Sequence, residues 1–397
     1  GSTSLVSASA MVRQDTSSRF DFTSAGANAA RIFDQDSRIR LISNETRLSR
    51  LDAEGRGWVI GANFIQDDEK LTRAMGNPAA PIRILGVDNK VSEAALFGEA
   101  GIGLARGLVA TLGGRLEYTH LVGEALDGDA AIGEPSREEK TFLPSISLSW
   151  HPNDHLLLFG RYQEGFRPGG LSITPAAGGP LIQRFHGDDL GSAEVGAKWT
   201  PAGARRLEVD LTIGHARWEN IQADLVDRNG LPFSANIGSG RIWSAEATWN
   251  WRPIEALRLS AGVVANDSRL ADPSRDFPSG GKYELPNIAH FAASMSAAFA
   301  HDLKGGWRID TNVRLHYVGH SRLGVGPTLG LRQGDYSLTA ASLHVGKGPW
   351  GIGIDADNLL NTRGNMFALG NPFDVAAGQQ IVPLRPRTIR IGIDAHF

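Results

Sequence analysis

The sequence predicts an all-β protein, an antiparallel transmembrane β-barrel, and three observations support this prediction. Side chains alternate between apolar and polar along many segments, with the period of two that a β-strand imposes. Short, turn-rich links alternate along the chain with long ones. No stretch approaches the roughly 20 apolar residues of a membrane-spanning helix. Alternation averages a spanning strand to near neutrality, so a mean hydropathy of -0.19 is compatible with a membrane barrel.

The composition argues against several other classes of protein. The 397 residues contain no Cys, which excludes a disulfide framework and a thiolate metal site. No basic field of the kind that binds nucleic acid accompanies the net charge of -3. The 11 His show no regular ligand spacing, so no metal and no cofactor is expected. Ser, His and acidic residues could still meet at a barrel rim, but nothing singles out such a cluster, and we predict no enzyme.

Residues 307–318 show the alternation most clearly. One face of such a strand carries Trp307, Ile309, Thr311, Val313, Leu315 and Tyr317. The other face carries Arg308, Asp310, Asn312, Arg314 and His316. Unpaired charges are costly in a dry core, so the second face is predicted to line a hydrated lumen. An apolar face bounded by aromatic rings suits lipid.

The last segment, residues 385–397, alternates in the same way. Its apolar face carries Ile389, Ile391, Ile393, Ala395 and Phe397, which we interpret as the C-terminal signal of a membrane barrel. Arg390 and Asp394 lie on the opposite face and are predicted to face the lumen. The pattern recurs along the whole chain and predicts about sixteen strands. They lie at residues 5–22, 39–51, 58–66, 93–104, 108–118, 142–150, 155–164, 192–199, 207–218, 242–251, 257–265, 289–299, 307–318, 336–346, 350–359 and 385–397.

The links between these strands differ in length at the two rims of the predicted barrel. Short links contain turn residues, at 105–107, 152–154, 253–255 and 346–349. Long links run through 67–91, 120–140, 165–190, 220–238, 266–286, 319–335 and 361–384. Tryptophans stand beside the short turns, at Trp150, Trp199, Trp251, Trp307 and Trp350. Short turns on one rim and long loops on the other are typical of outer-membrane barrels. No linker divides the chain, so residues 1–397 are predicted to form one barrel domain in a bacterial outer membrane.

Several segments also resemble a known family. Residues 355–363, DADNLLNTR, are similar to the penultimate-strand motif of TonB-dependent outer-membrane receptors, which also end in Phe. Further similar segments are LPSISLSW at 143–150, RYQEGFRPGG at 161–170 and NETRLS at 44–49. Together these motifs span most of the chain.

The resemblance implies an energised importer with a barrel of about 22 strands and an N-terminal plug. Such receptors take up scarce ligands such as iron siderophores, cobalamin or carbohydrates, and are driven by the TonB complex. The resemblance also implies outer-membrane lipid and the barrel assembly machinery as partners. This sequence shows no plug and no TonB-contact segment, and residues 3–13 resemble a strand from within a receptor barrel. We therefore expect a C-terminal portion, completed by a second chain that supplies the plug and the remaining strands.

Two alternatives to that completed receptor are left open. An unclosed sheet in lipid exposes a row of unsatisfied backbone groups, so its edges must be paired. The strands near Leu5 and Phe397 could pair with each other, which would give a plug-less, 16-stranded, porin-like passive channel. In the other alternative the barrel is structural and anchors a partner protein.

Ligand contacts are expected in the long loops and the upper lumen. Aromatic rings and Arg offer stacking and bidentate hydrogen bonds there. The candidate ligand-binding residues are Arg184, His186, Trp218, Arg322, Met366 and Phe367. Asp188 and Asp189 lie beside two of these candidates and could bind a ligand or a divalent cation. The alternative for all of these side chains is packing or solvation within the loops themselves.

Overall fold

The computed structural model describes residues 2–23, 29–126, 136–174, 181–203, 206–227, 229–274, 284–375 and 381–396. These residues form strands almost throughout. In chain order the elements are β1 (Ser4–Asp21), β2 (Ile32–Leu51), β3 (Gly57–Asn77), β4 (Ala80–Ala105), β5 (Leu108–Ala125), β6 (Ser136–Asn153), β7 (Leu156–Arg167), β8 (Gly170–Thr174), β9 (Leu181–Phe185), β10 (Asp188–Trp199), β11 (Leu207–Glu219), β12 (Gln222–Val226), β13 (Pro232–Asn236), β14 (Gly238–Ile254), β15 (Leu257–Pro273), β16 (Phe291–Leu303), β17 (Trp307–Val318), β18 (Ser321–Arg322), α1 (Gly326–Leu329), β19 (Arg332–Gln333), β20 (Tyr336–Lys347), β21 (Trp350–Asp357) and β22 (Thr388–Ala395).

One antiparallel sheet of 16 strands dominates the fold. Its order is β1-β2-β3-β4-β5-β6-β7-β10-β11-β14-β15-β16-β17-β20-β21-β22, so each strand pairs with the next main strand of the chain. The other strands form three two-stranded hairpins, β8–β9, β12–β13 and β18–β19, within long links of the sheet. The predicted all-β class and strand number are confirmed. No helix in the described part of the chain is both long and apolar enough to cross a membrane.

The strand boundaries agree with the prediction at the short-turn rim and differ at the other rim. Residues 67–91 were expected to be a long loop, and this prediction was wrong. Instead β3 and β4 stay paired up to Asn77 and Ala80, with only residues 78–79 between them. The ladder continues because backbone hydrogen bonds hold it. The side-chain alternation ends earlier because charged residues lie on one face and charged and apolar residues are mixed on the other, as with Glu69, Leu71 and Arg73.

The two faces of the sheet differ in chemistry, and we call them the apolar face and the polar face. On β3 the apolar face carries Ile60 and Phe64, both exposed. The polar face of the neighbouring strands carries Arg115, which donates to Glu117 at 2.6 Å and to Asn63 at 2.9 Å. The tryptophans predicted beside the short turns are exposed at those ends of their strands. This arrangement matches an aromatic girdle at one membrane interface.

The buried core lies at the long-loop end of the sheet. The largest fully buried side chains in the described residues are Phe33, Val87, Ile237, Leu285 and Val375. All of them belong to long links or to the strand ends next to those links. The loops therefore pack into a core of their own, and we call the set of residues 170–174, 181–185, 221–237, 284–290, 319–335 and 358–375 the loop cap.

The two edge strands, β1 and β22, do not pair with each other in the residues that the structure describes. The alternative of a self-closed sheet of 16 strands, through pairing near Leu5 and Phe397, is therefore not what this part of the chain forms. Phe397 itself lies outside the described residues. Besides its partner strand β2, β1 is contacted at its end by the loop cap: the ring of Phe373 stacks on Phe22, directly after β1, at 5.1 Å and meets Phe33 of β2 edge-on at 5.3 Å.

Candidate ligand site in the loop cap and polar face

The hairpin β8–β9 folds onto the polar face of β3 to β5. Leu171 and Ile173 are buried against Val87. The Asn89 side chain fixes the position of Leu171, because its Oδ1 accepts from the Leu171 N–H at 3.0 Å and its Nδ2 donates to the Leu171 carbonyl at 3.1 Å. A Cβ at Gly123 would lie 2.3 Å from Leu171 Cδ1, so only glycine lets the hairpin approach this closely.

Arg73 lies buried beneath the same hairpin, above the apolar band of the sheet. Its Nε donates to Gln35 Oε1 at 2.9 Å and its Nη1 to the Ile173 carbonyl at 3.1 Å. Burial lowers the pKa of Arg73 to about 10. The side chain is therefore still charged at neutral pH, and it tethers the hairpin to β2 and β3 through hydrogen bonds.

Asp188 is the central acceptor of the cap and is 4% exposed. Its carboxylate accepts from Arg167 at 3.1 and 2.5 Å, from the indole Nε1 of Trp218 at 3.0 Å and from the Gln222 N–H at 3.2 Å. These donors come from three different elements, β7, β11 and β12. Both carboxylate oxygens are engaged, so Asp188 acts as a structural tie in the cap rather than as an open cation ligand.

The candidates Arg184 and His186 come four and two residues before Asp188 in the chain. His186 Nδ1 is 2.8 Å from Arg137 Nη1, and its backbone N–H donates to Asn236 Oδ1 at 2.6 Å. Gln222 Nε2 donates to the His186 carbonyl at 3.1 Å, so one glutamine joins His186 to the Asp188 group. Arg184 lies on β9 and helps to line a cavity of about 10 Å³, room for a single water at most.

Arg322 belongs to a second cluster of hydrogen-bonded polar residues in the loop cap. Its Nε donates to Glu284 at 3.1 Å and its Nη1 to the Gly330 carbonyl at 3.2 Å. Burial by itself would raise the pKa of the Glu284 carboxyl, but the hydrogen bond and charge of Arg322 outweigh it and lower that pKa. His290 Nε2 is 3.6 Å from the same carboxylate, and its ring lies 4.6 Å from that of His320. Arg322 thus joins the loop before β16 to the loop after β17.

Met366 and Phe367 differ from the other candidates because they are exposed, at 41% and 40%. Backbone hydrogen bonds of 3.0 Å pair them with Val382, beside the exposed Ile381. These four residues, which we call the 366–382 patch, present an apolar surface at the long-loop end. The sequence did not predict that Met366 and Phe367 meet Ile381 and Val382, because about fifteen residues separate the two halves of the patch.

The six residues predicted to face a lumen all lie on the polar face of β17 or β22. Arg308 donates to Asp310 at 2.9 Å, and Arg390 to Asp357 at 2.6 Å. His344 of β20 is 2.9 Å from Asp394. Arg314 and His316 share the alternation of Arg308 along β17, opposite the exposed Val313 and Leu315. That this face lines a lumen stays a prediction.

Two cavities of the polar face are lined by charged side chains of both signs. One, of about 580 Å³, is bordered by Arg161, Glu194, Lys198 and Asp210. The other, of about 560 Å³, is bordered by Arg252, Arg258, Arg308, Asp310 and His344. Arg161 pairs with Glu194 at 2.9 Å, so much of the charge is neutralised within the wall. Over the described ranges, no three His, Asp or Glu side chains come together as metal ligands.

The structure thus brings only some of the predicted ligand-binding residues together. The structure gathers His186 and Trp218 around Gln222 and Asp188, whereas Arg184 borders the small cavity on β9 and Arg322 lies in a separate group. Met366 and Phe367 are elsewhere in the cap, on its surface. Gln222, Asn236 and Arg137 were missed because single polar loop residues carry no periodic signal, and their partners are far away along the chain.

Comparisons with known proteins give a consistent result. The sequence model of the family described as "TonB dependent receptor-like, beta-barrel" matches residues 4–359. The ferric yersiniabactin uptake receptor from Yersinia pestis is similar in structure, with a TM-score of 0.75 and 19% identity over 100% of this chain and 58% of that one.

Two other solved structures are similar in the same way. The ferric-catecholate import receptor from Escherichia coli aligns with a TM-score of 0.69 at 14% identity, over 100% of this chain and 62% of that one. The ferric preacinetobactin receptor from Acinetobacter baumannii aligns with a TM-score of 0.67 at 15% identity, over 98% and 60%. At these identities the similarity shows the fold. The chain spans 58 to 62% of the length of these three structures.

Proposed function

The chain belongs to the TonB-dependent receptor-like β-barrel family, and from that premise we propose that it forms the larger part of an outer-membrane receptor that takes up a small ligand such as an iron siderophore. Its location is the bacterial outer membrane, where the apolar face meets lipid. The family consists of transport receptors and not of enzymes. Residues 1–397 serve as a single barrel domain in this proposal.

The loop cap is the observation that supports uptake most directly. Its hairpins lie over the polar face, and discrete hydrogen-bonded groups around Asp188 and Arg322 hold them together with three small apolar clusters. Ties of this kind can be released and remade at modest cost, which suits a cap that admits a ligand. Arg184, His186, Trp218 and Arg322 position the cap in this proposal. Met366 and Phe367 are the ligand contacts.

The polar wall suits passage of a hydrated ligand. Arg308, Asp310, Arg314, His316, Arg390 and Asp394 line the lumen in this proposal, where paired charges offer hydrogen bonds without a strong field of one sign. The paired charges also suit a removable plug, because a polar interface is easier to separate than a hydrophobic one.

The unpaired edges of β1 and β22 support completion of the barrel by further strands. Each edge leaves backbone groups that the membrane cannot satisfy. The related structures are longer than this chain. In the proposal a separate chain supplies these strands and the plug, the TonB complex drives the plug, and the barrel assembly machinery inserts the barrel.

Energy-coupled uptake in cells tests the proposal. Accumulation of a radiolabelled ferric siderophore should require both this gene and a functional TonB complex, and a protonophore should abolish it. Accumulation that continues without TonB would contradict the proposal and would favour a passive channel.

Affinity purification from outer membranes tests the second chain. A co-purifying polypeptide that carries a plug and further strands is the expected result. Planar bilayers give the opposing readout for the purified assembly: a large, steady, voltage-insensitive current would favour the porin-like alternative, and low conductance is expected for a plugged receptor.

A further inference from the structure

Three arginines lie side by side on the apolar face of the sheet. Arg217 of β11 is directly opposite Arg241 of β14, and Arg241 is directly opposite Arg269 of β15. We call these residues the arginine row. They share the face of Ile213, which is 55% exposed, and all three are exposed themselves. The polar face of the same strands carries other residues, among them Asp210 and Ser244.

The arginine row lies at the upper edge of the apolar band. Directly below it the same face carries His215, Trp243 and Asp267. Further down it carries small or apolar side chains, including Ala245, Ala247 and Val263, as far as Trp251 near the short turn. Ten residues separate Trp251 from Arg241. At about 3.3 Å per residue and a tilt of about 40°, this corresponds to about 25 Å along the membrane normal, the height of the apolar band of a barrel. The row therefore lies at the level of the lipid headgroups on the long-loop side.

The positive charge of the row is incompletely neutralised. Like charges directly opposite each other on neighbouring strands destabilise a sheet. Arg217 pairs with Glu219 at 2.9 Å, and Arg269 is 3.7 Å from Asp267. Arg241, the middle residue, has no carboxylate partner within the described ranges. An anion between these side chains would remove the repulsion and complete the pairing.

We propose that the arginine row binds the phosphate groups of a lipid headgroup in the outer leaflet of the membrane. Guanidinium groups form bidentate hydrogen bonds with phosphate, and the low dielectric of the interface strengthens them. Trp243 is two residues after Arg241 on the same face of β14, nearer to the short turn, and its ring lies 4.4 Å from that of His215. These rings would lie directly beneath the headgroup, where aromatic side chains are common in membrane proteins. This inference goes beyond uptake, since it concerns the outer wall of the barrel and the lipid around it.

The chain contains a control on the opposite face of the sheet. Arg161 lies on the polar face of β7 and pairs one to one with the carboxylate of Glu194, at 2.9 Å. Because this arginine is neutralised within the protein and faces away from lipid, its substitution should not change lipid binding.

The test uses the complete assembly purified from outer membranes and placed in phosphatidylcholine nanodiscs that contain diphosphorylated lipid A. Native mass spectrometry counts the lipid A molecules retained by the wild type, by Arg241→Gln/Arg269→Gln and by the control Arg161→Gln. We expect about tenfold weaker retention in the first variant and no change in the control, since only the first loses charge-assisted hydrogen bonds to phosphate. Arg241→Lys keeps the charge and should give an intermediate result.

Two further measurements show whether the bound group is the phosphate of a lipid. Dephosphorylated lipid A should not be retained, and millimolar inorganic phosphate should not displace the phosphorylated lipid. An equal loss in the double variant and in the control, equal retention of the dephosphorylated lipid, or displacement by inorganic phosphate would each overturn the inference. Heat-modified gel mobility shows whether each variant is folded. If the double variant does not fold, retention by the single Arg241→Lys variant decides the test.

Discussion

The imidazole of His344 on β20 crosses β21 and meets the carboxylate of Asp394 on β22, with Nε2 2.9 Å from Oδ1. The ring passes over Gly351, where a Cβ would fall 2.3 Å from Nε2 and 2.7 Å from the carboxylate oxygens. One glycine therefore makes room for a bridge across three strands. Because β22 is an edge strand among the described residues, this bridge holds it to more than its single neighbour.

Substitution Gly351→Ala should break this bridge. The methyl group displaces the imidazole, and the loss of this partly exposed hydrogen bond should cost about 0.5 to 1 kcal/mol. Urea unfolding of the purified assembly, followed by heat-modified gel mobility, measures the loss. Gly392→Ala on β22 is the control, because a Cβ there meets nothing within 4 Å. Equal midpoints for both variants would show that the bridge contributes no stability.

Substitution Asp188→Asn should loosen the loop cap. The amide cannot accept from Arg167, Trp218 and Gln222 together, and each buried donor left unsatisfied costs about 1 to 3 kcal/mol. We expect faster proteolysis of the links at 168–187 and 220–237 and lower siderophore uptake. Asp189→Asn, its exposed neighbour, should leave both readouts unchanged. Wild-type protease resistance in Asp188→Asn would contradict the assigned role.

The Glu284 and Arg322 pair should make part of the cap sensitive to acid. The pKa of Glu284 is below its ordinary value of 4.5, since Arg322 outweighs the opposing effect of burial. A carboxyl with a lowered pKa stabilises the folded state above pH 4.5, and this contribution is lost as the pH falls through the lowered value. Hydrogen exchange at residues 319–331 should therefore accelerate in that acidic window.

Glu284→Gln should exchange fast in this segment at every pH. The control Asp52→Asn removes another ion-paired carboxyl, whose pKa is lowered by Arg56, and should affect only the turn at 52–56. Exchange at 319–331 that is independent of both pH and Glu284 would rule out the pair as the cause.

The contact between the last long loop and β1 can be tested by cross-linking. The Asn371 amide donates to the Asp21 carbonyl, and the chain contains no Cys that would interfere. We expect Asp21→Cys/Asn371→Cys to form a disulfide under mild oxidation. Adding Phe373→Ala should lower the yield, because the ring that stacks on Phe22 is lost.

The pair Asp21→Cys/Glu54→Cys joins opposite rims of the sheet and should not cross-link. Equal yields for the two cysteine pairs would show that the contact between the loop and β1 does not exist in the assembly. Redox-sensitive mobility on a denaturing gel gives the yield.

The 366–382 patch should determine the affinity for the ligand. Phe367→Ser removes an exposed aromatic ring and should raise the KM for uptake of a ferric siderophore about tenfold, the factor for about 1.4 kcal/mol of lost contact. The maximal rate should stay near that of the wild type. Leu359→Ser, at 41% as exposed as Phe367 but outside the patch, serves as the control. Unchanged KM in Phe367→Ser would remove Phe367 from the site.

The strand pattern shows how far local information reaches. Residues 307–318 were predicted with the bounds that β17 has, because alternation and turn residues both mark the ends of that strand. The extension of β3 and β4 up to residues 77 and 80 was missed, because the face that the β8–β9 hairpin buries there carries both charged and apolar residues, among them Arg73 and Val87. Periodicity is informative only where the two faces of a strand meet different surroundings.

The sequence by itself determined the class of fold, the number of strands, the apolar face of most strands and the membrane in which the chain lies. Each of these follows from neighbouring residues along one strand, where a period of two is visible directly. Only the tertiary structure decided the partners of Asp188, the edges of β1 and β22 that stay unpaired among the described residues, and the alignment of Arg217, Arg241 and Arg269. These depend on register and loop packing between distant segments. A shift of one residue in pairing would change all of them and leave the local pattern intact.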